Sequence, residues 1–151
     1  MYTATETGDG RGDFIGTVVF TDSQEYGGVI ITPDLNSIPP GVHGFHIHEY
    51  PNCSPKMHDG HETPALAAGG HFDPENTGKH LGPYADGHLG DLPILFVSTE
   101  GTATHTMYAP RLRAADIKNH SLMIHAGGDN YSDTPNALGG GGARLACGVV
   151  E

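Results

Sequence analysis

The chain has no tryptophan, and only seven Lys and Arg stand against eighteen Asp and Glu, a formal charge of −11 over 151 residues. With no basic run anywhere, the electrostatic footprint of a nucleic-acid binder is missing. No stretch approaches the roughly 18 consecutive apolar residues that a membrane-spanning helix requires. The opening segment, Met1 to Gly10, is polar and acidic and lacks the apolar run of a signal peptide. The chain therefore reads as either cytosolic or the mature part of an exported protein. Helical periodicity is nearly absent, and only Ala114 to Lys118 reads as a single helical turn. Large aliphatics are scarce as well. Leu, Ile, Val and Phe make up about a fifth of the chain, close to the composition at which disorder takes over. A chain so poor in core residues needs covalent or metal cross-links to offset its conformational entropy.

In their place stand 23 Gly, 11 Pro and 11 His. Short β-like runs recur at Phe14 to Phe20, Val29 to Thr32, Gly44 to His48, Leu92 to Ser98, Ser121 to His125 and Leu145 to Val150. Turn residues separate them, as in Tyr26-Gly27-Gly28 and Pro39-Pro40-Gly41. Many short strands with Gly/Pro turns predict an all-β sandwich or barrel, and no linker divides residues 1–151 into more than one domain. Two stretches, 49–91 and 126–143, contain no recognisable strand. Structureless connections of such length are usually functional or disordered. The first holds five of the eleven His, so an ordering ligand is the physical way to fold it. Cys53 and Cys147 are the only cysteines and do not form a CxxC motif. Two free thiols would fit; one long-range disulfide, favouring an oxidising compartment, is the simpler reading.

The histidines carry the chemistry. In Gly44-Phe45-His46-Ile47-His48, alternation sends Phe45 and Ile47 to one face and sets His46 and His48 side by side on the other. His43 shares the parity of Phe45 and is expected to be internal and structural. Ser121-Leu122-Met123-Ile124-His125 repeats the pattern and ends on an imidazole. Within the first long loop, His71, His80, His88 and Asp91 follow as H-x8-H-x7-H-x2-D, a donor set suited to four-coordinate zinc. Such a loop would be folded by its metal rather than by a core. Asp73 and Pro74 are expected to shape the turn after His71. His105 and His120 have no assigned partner and are expected to be exposed.

Taken together, Gly44 to His48, Gly69-Gly70-His71-Phe72-Asp73-Pro74, His80, His88-Leu89-Gly90-Asp91, Ile124 to Asp129 and Gly142 to Val149 resemble the copper/zinc superoxide dismutases. Ala126 to Asn130 and the Gly139 to Gly142 run look like the bacterial, periplasmic branch. The resemblance implies an eight-stranded Greek-key β-barrel or sandwich with two long functional loops. It implies copper on His46, His48, His71 and His125, zinc on His71, His80, His88 and Asp91, and His71 shared between the two. It implies a disulfide between Cys53 and Cys147. Asp129 falls at the position of a carboxylate joining a copper ligand to a zinc ligand, and Arg144 at that of an arginine beside the copper.

The implied activity is dismutation of superoxide to dioxygen and hydrogen peroxide. Copper alternates between two oxidation states, zinc positions, and His71 releases and recovers its copper-side bond while passing a proton. Arg144 would dock the anion against the adverse net charge. Lys56, His58 and His61 are expected to add to its steering, the two imidazoles more strongly as they titrate below neutral pH. Tyr26, Tyr84 and Phe96 fall where dimeric bacterial relatives place interface aromatics, which implies a homodimer. The rival readings are a non-catalytic copper/zinc storage or delivery protein, a zinc-only domain, and a zinc hydrolase. The last lacks an HExxH-type helix and an evident general base.

Overall fold

The computed structural model describes residues Met1–Glu151. Twelve short strands follow in order: β1 (Tyr2–Ala4), β2 (Arg11–Phe14), β3 (Gly16–Asp22), β4 (Val29–Leu35), β5 (Gly41–His43), β6 (Phe45–His48), β7 (Lys56–His58), β8 (His61–Thr63), β9 (Leu95–Val97), β10 (Met107–Ala109), β11 (Ser121–His125) and β12 (Arg144–Val149). The helical content is limited to short 3-10 turns, one of them at Ala114–Ile117, where the sequence predicts a helical turn. An antiparallel sheet of five strands runs β2-β1-β12-β11-β6, and one of three runs β10-β4-β3, with two further pairs, β5-β9 and β7-β8. The architecture is the expected all-β sandwich; the strands do not close into one continuous barrel. The loop 49–91 departs from expectation, because it contains the β7-β8 hairpin.

Alternation explains how so few aliphatics suffice. Along β4, Val29, Ile31, Pro33 and Leu35 are buried while the residues between them are exposed. A single cluster of 17 buried residues fills the sandwich, including Phe45, Ile47, Leu122 and Ile124 from the inner face of the five-stranded sheet. The strands β6 and β11 are buried along their whole length, so their outer face is covered too. Register places His46 opposite Met123 and His48 opposite Ser121 on that outer face. The loop that follows β6 folds back over them through isolated bridges between His46 and Asp91 and between His48 and His71. A second, smaller cluster of Cys53, Ala65, Ala68, Met123 and Cys147 packs beside them. Its centre is the Cys53–Cys147 disulfide, which closes a sequence separation of 94 residues. The cross-link thus anchors the long loop to β12, next to the histidines.

Candidate metal centre

Strand parity delivers His46 and His48 from β6 and His125 from the end of β11; the loop delivers His71, His80, His88 and Asp91. All seven are buried. The donor atoms of His46, His48, His71 and His125 lie within 4.8 Å of one another, as do those of His46, His71, His80 and Asp91.

Hydrogen bonding selects which nitrogen of each ring is free. His46 Nε2 donates to Asp129 Oδ2 at 2.7 Å, leaving Nδ1. His48 Nδ1 donates to the Gly69 carbonyl at 2.9 Å and His125 Nδ1 to the Gly142 carbonyl at 3.1 Å, leaving both Nε2 atoms. Those two Nε2 atoms face each other at 3.4 Å, an arrangement that favours a cation between them. His80 Nε2 donates to Asp129 Oδ1 at 2.7 Å, leaving Nδ1. On the other side, Asp91 gathers three Nδ1 atoms: His71 and His80 at 2.9 Å and His88 at 3.4 Å. His46 Nδ1, His71 Nε2, His80 Nδ1, His88 Nδ1 and Asp91 Oδ2 are buried with no hydrogen-bond partner. The His80–Asp91 approach is close but misaligned for a hydrogen bond, so proximity there reflects charge rather than a formed bond. Buried polar atoms are rarely left orphaned without an ion or water to satisfy them. Five orphans converging in one place, mostly imidazole nitrogens, fit two transition-metal ions.

His46 is close to the second group because its ring stacks on His71, centroids 4.0 Å apart. His88 falls just outside it, yet its free nitrogen points at Asp91 and its backbone is held in place. Arg111 donates to the carbonyls of Gly87 at 3.0 Å and His88 at 3.4 Å. Asp133 plays a matching part for His80, accepting its backbone N–H at 2.9 Å. Neither Arg111 nor Asp133 carries a motif that sequence reading detects. Gly139 has φ 72°, and a Cβ there would collide with Asp129 Oδ1 and His80 Nε2. This one glycine of the 139–142 run is therefore required by the carboxylate bridge itself.

The electrostatics favour neutral rings on one side and a charged set on the other. Burial pushes His46 down to about 3 and His125 down to about 4, and it lowers His48 and His71. Burial opposes charge on His80 as well, but the bond to Asp129 and the negative charge of Asp91 beside it outweigh that and raise it to about 9. For Asp91, burial is outweighed by His71 and His80, and its carboxyl is held well below the usual range. Asp129 is held down in the same way by His46 and His80.

Arg144, at the start of β12, pairs in register with His125. Its guanidinium donates to the carbonyls of Ala65 at 2.6 Å and Gly69 at 2.7 Å, so Gly69 O joins Arg144 to His48. The positive charge acts directly on His48 and His125. His43 is buried, with Nδ1 2.7 Å from the His125 carbonyl and Nε2 2.8 Å from the Pro39 carbonyl, and so is internal as expected. Asp73 accepts bonds from Thr77 and Gly78 and shapes the turn after His71. His105 is exposed, but His120 is half-buried: its ring packs at a tilt against Phe72, centroids 4.1 Å apart, and it bonds the His48 carbonyl at 3.2 Å. Lys56, His58 and His61 sit exposed on the β7-β8 hairpin, with no hydrogen bond to the cluster.

An antiparallel sandwich with a buried, paired His/Asp centre on one sheet's outer face defines a two-metal β-sandwich protein. Residues 14–150 match the family described as copper/zinc superoxide dismutase (SODC), and the chain belongs to that family. It is 61% identical over 144 residues to superoxide dismutase [Cu-Zn] 1 of Salmonella typhimurium, covering 94% of this chain and 80% of that protein. The structure of the Cu/Zn superoxide dismutase from Brucella abortus superposes with a TM-score of 0.94 at 52% identity, covering 99% of this chain and 96% of that one. The solution structure of the monomeric copper, zinc superoxide dismutase from Salmonella enterica gives 0.85 at 52% identity, with the same coverage.

Proposed function

We propose that the protein dismutates superoxide to dioxygen and hydrogen peroxide, with copper on His46, His48, His71 and His125 and zinc on His71, His80, His88 and Asp91. The observation that carries this reading is the division of His71. Its Nδ1 turns to Asp91 at 2.9 Å while its Nε2 is a buried orphan, so one ring serves both donor sets. Copper, when bound, supplies a one-electron couple that imidazoles support in both states, and zinc a fixed charge without redox chemistry.

The chain's own groups do the rest. Arg144, anchored through two of its N–H groups on Ala65 and Gly69, holds the anion beside His48 and His125. His71 Nε2 is the atom at which a proton for the product is held and released. Asp129 fixes His46 and His80 at once, keeping the two halves in register. A storage protein gains nothing from a cation beside its imidazoles, because that charge repels metal and serves only an anion; Arg144 therefore favours catalysis over storage. Lys56, His58 and His61 extend the positive potential along the hairpin in this reading.

The chain is assigned to the periplasm, where the Cys53–Cys147 disulfide would persist. Tyr26, Tyr84 and Phe96 are at least half exposed and form the contact surface of an inferred homodimer. A sedimentation mass near 16 kDa at micromolar concentration would reject that assembly. The activity is tested by following superoxide decay at low salt with the metal-loaded protein and R144Q. Loss of Arg144 is expected to lower kcat/KM about tenfold or more and to flatten its salt dependence. Equal rates and equal salt slopes would remove the anion dock from the account.

A further inference from the structure

The β7-β8 hairpin presents a second set of metal donors that the buried centre does not use. We propose that His58, His61 and the Asp59 carboxylate form a surface site for one divalent transition-metal ion, preferring copper(II) over zinc. Three observations converge. First, His58 and His61 are direct cross-strand partners. Residues opposed in this way share one face of the ribbon, with Cα atoms about 4.5–5.5 Å apart. Two nitrogens bound to one ion at about 2.0–2.1 Å lie roughly 3 Å from each other, within reach of two rings so placed.

Second, the turn fixes the pairing. Asp59 and Gly60 have φ of 49° and 81°, the two positive values that a type I′ hairpin turn requires and whose twist matches the strands. The register that opposes the two imidazoles is therefore built into the ribbon. Third, a carboxylate already stands at the site: Asp59 Oδ2 is 3.4 Å from His58 Nε2. Two imidazoles and one carboxylate, with water completing the shell, are a donor set for copper(II) or zinc, and copper(II) binds such sets more tightly. His58, Asp59 and His61 are all exposed, so the rings can rotate onto an ion without repacking a core. Met57 and Glu62 pair on the opposite face and take no part. The site depends on the hairpin alone and stands apart from the function proposed for the buried centre.

The test uses protein whose buried sites are already filled with copper and zinc. Copper(II) is then added, with binding read by chelator competition and by electron paramagnetic resonance. The expected result is one further copper(II) per chain, with a signal distinct from that of the buried copper, displaced only by a larger excess of zinc. H58Q/H61Q should lose this further ion while the signal of the buried copper stays as it was, which shows the fold intact. D59N keeps a residue type that tolerates the left-handed turn and should bind the ion more weakly. No further ion in the native protein, or undiminished binding in H58Q/H61Q, would overturn the site. Equal binding by D59N would overturn the three-donor arrangement.

Discussion

Replacing Asp129 by Asn separates a bridge from mere space-filling. In the native protein each carboxylate oxygen accepts from one ring: Oδ2 from His46 and Oδ1 from His80, both at 2.7 Å. Those bonds commit the two Nε2 atoms, so the Nδ1 atoms, which have no hydrogen-bond partner, are the ones left to take an ion. An amide is nearly the same size but has one acceptor and one donor. Its NH2 group must then face one of the two rings. That ring can meet a donor only by moving its proton to Nδ1, the atom that would bind the ion. Losing such an outer partner typically lowers metal affinity 10–100-fold, about 1.4–2.8 kcal/mol. The assay is competition against a chromophoric chelator for zinc and copper separately, at fixed pH, with far-ultraviolet circular dichroism as the check on folding. The structure predicts a loss of about 10–100-fold at one site or both. A folded D129N that holds both ions as tightly as the native protein would refute the argument that Asp129 sets the tautomers.

Two further outcomes follow from the same geometry. In the metal-free protein, burial holds His46 near 3 and His125 near 4, against about 6.5 for an unfolded histidine. The unfolded chain therefore takes up more protons than the folded one between those values, and stability falls as pH drops below about 6.5, by up to about 1.4 kcal/mol per pH unit for each such ring. His80, raised to about 9, works in the opposite sense: its contribution is complete below about 6.5 and is lost as pH rises through 9. Urea midpoints at pH 7 and pH 5 test this, and equal midpoints would contradict it. Removing the disulfide with C53A/C147A frees a loop that spans 94 residues. The expected loss is about 3–5 kcal/mol by urea denaturation, and a loss below about 1 kcal/mol would show that the unfolded chain is not what the bond constrains.

Parity alone made much of the centre readable. Phe45 and Ile47 could go only to the core, which forced His46 and His48 outward together, and Ser121–His125 is a strand with the bounds the pattern gives. The loop histidines were visible through their density in a stretch with nothing else to order it. Other elements left weaker traces. The strands Tyr2–Ala4 and Arg11–Phe14 are short and polar, and they hold their place by pairing rather than by an apolar face. The hairpin Lys56–His58 and His61–Thr63 buries neither face, so no alternation marks it; Asp59-Gly60, a strong two-residue turn signal, was the available clue. Arg111 and Asp133 hold backbone groups of His88 and His80 across 23 and 53 residues of sequence, and no local pattern encodes such contacts. His120 has no partner in its own stretch of sequence and so reads as exposed; contact with the Phe72 ring and a bond to the His48 carbonyl draw it half inside.

The centre stands or falls on the two nitrogens of one imidazole. Diffraction from crystals loaded with copper and zinc, recorded at both absorption edges, locates each ion independently. With copper oxidised, copper is expected about 2.0–2.1 Å from His71 Nε2 and zinc about the same distance from His71 Nδ1. A single ion on that ring, or none, in fully loaded oxidised crystals would contradict it.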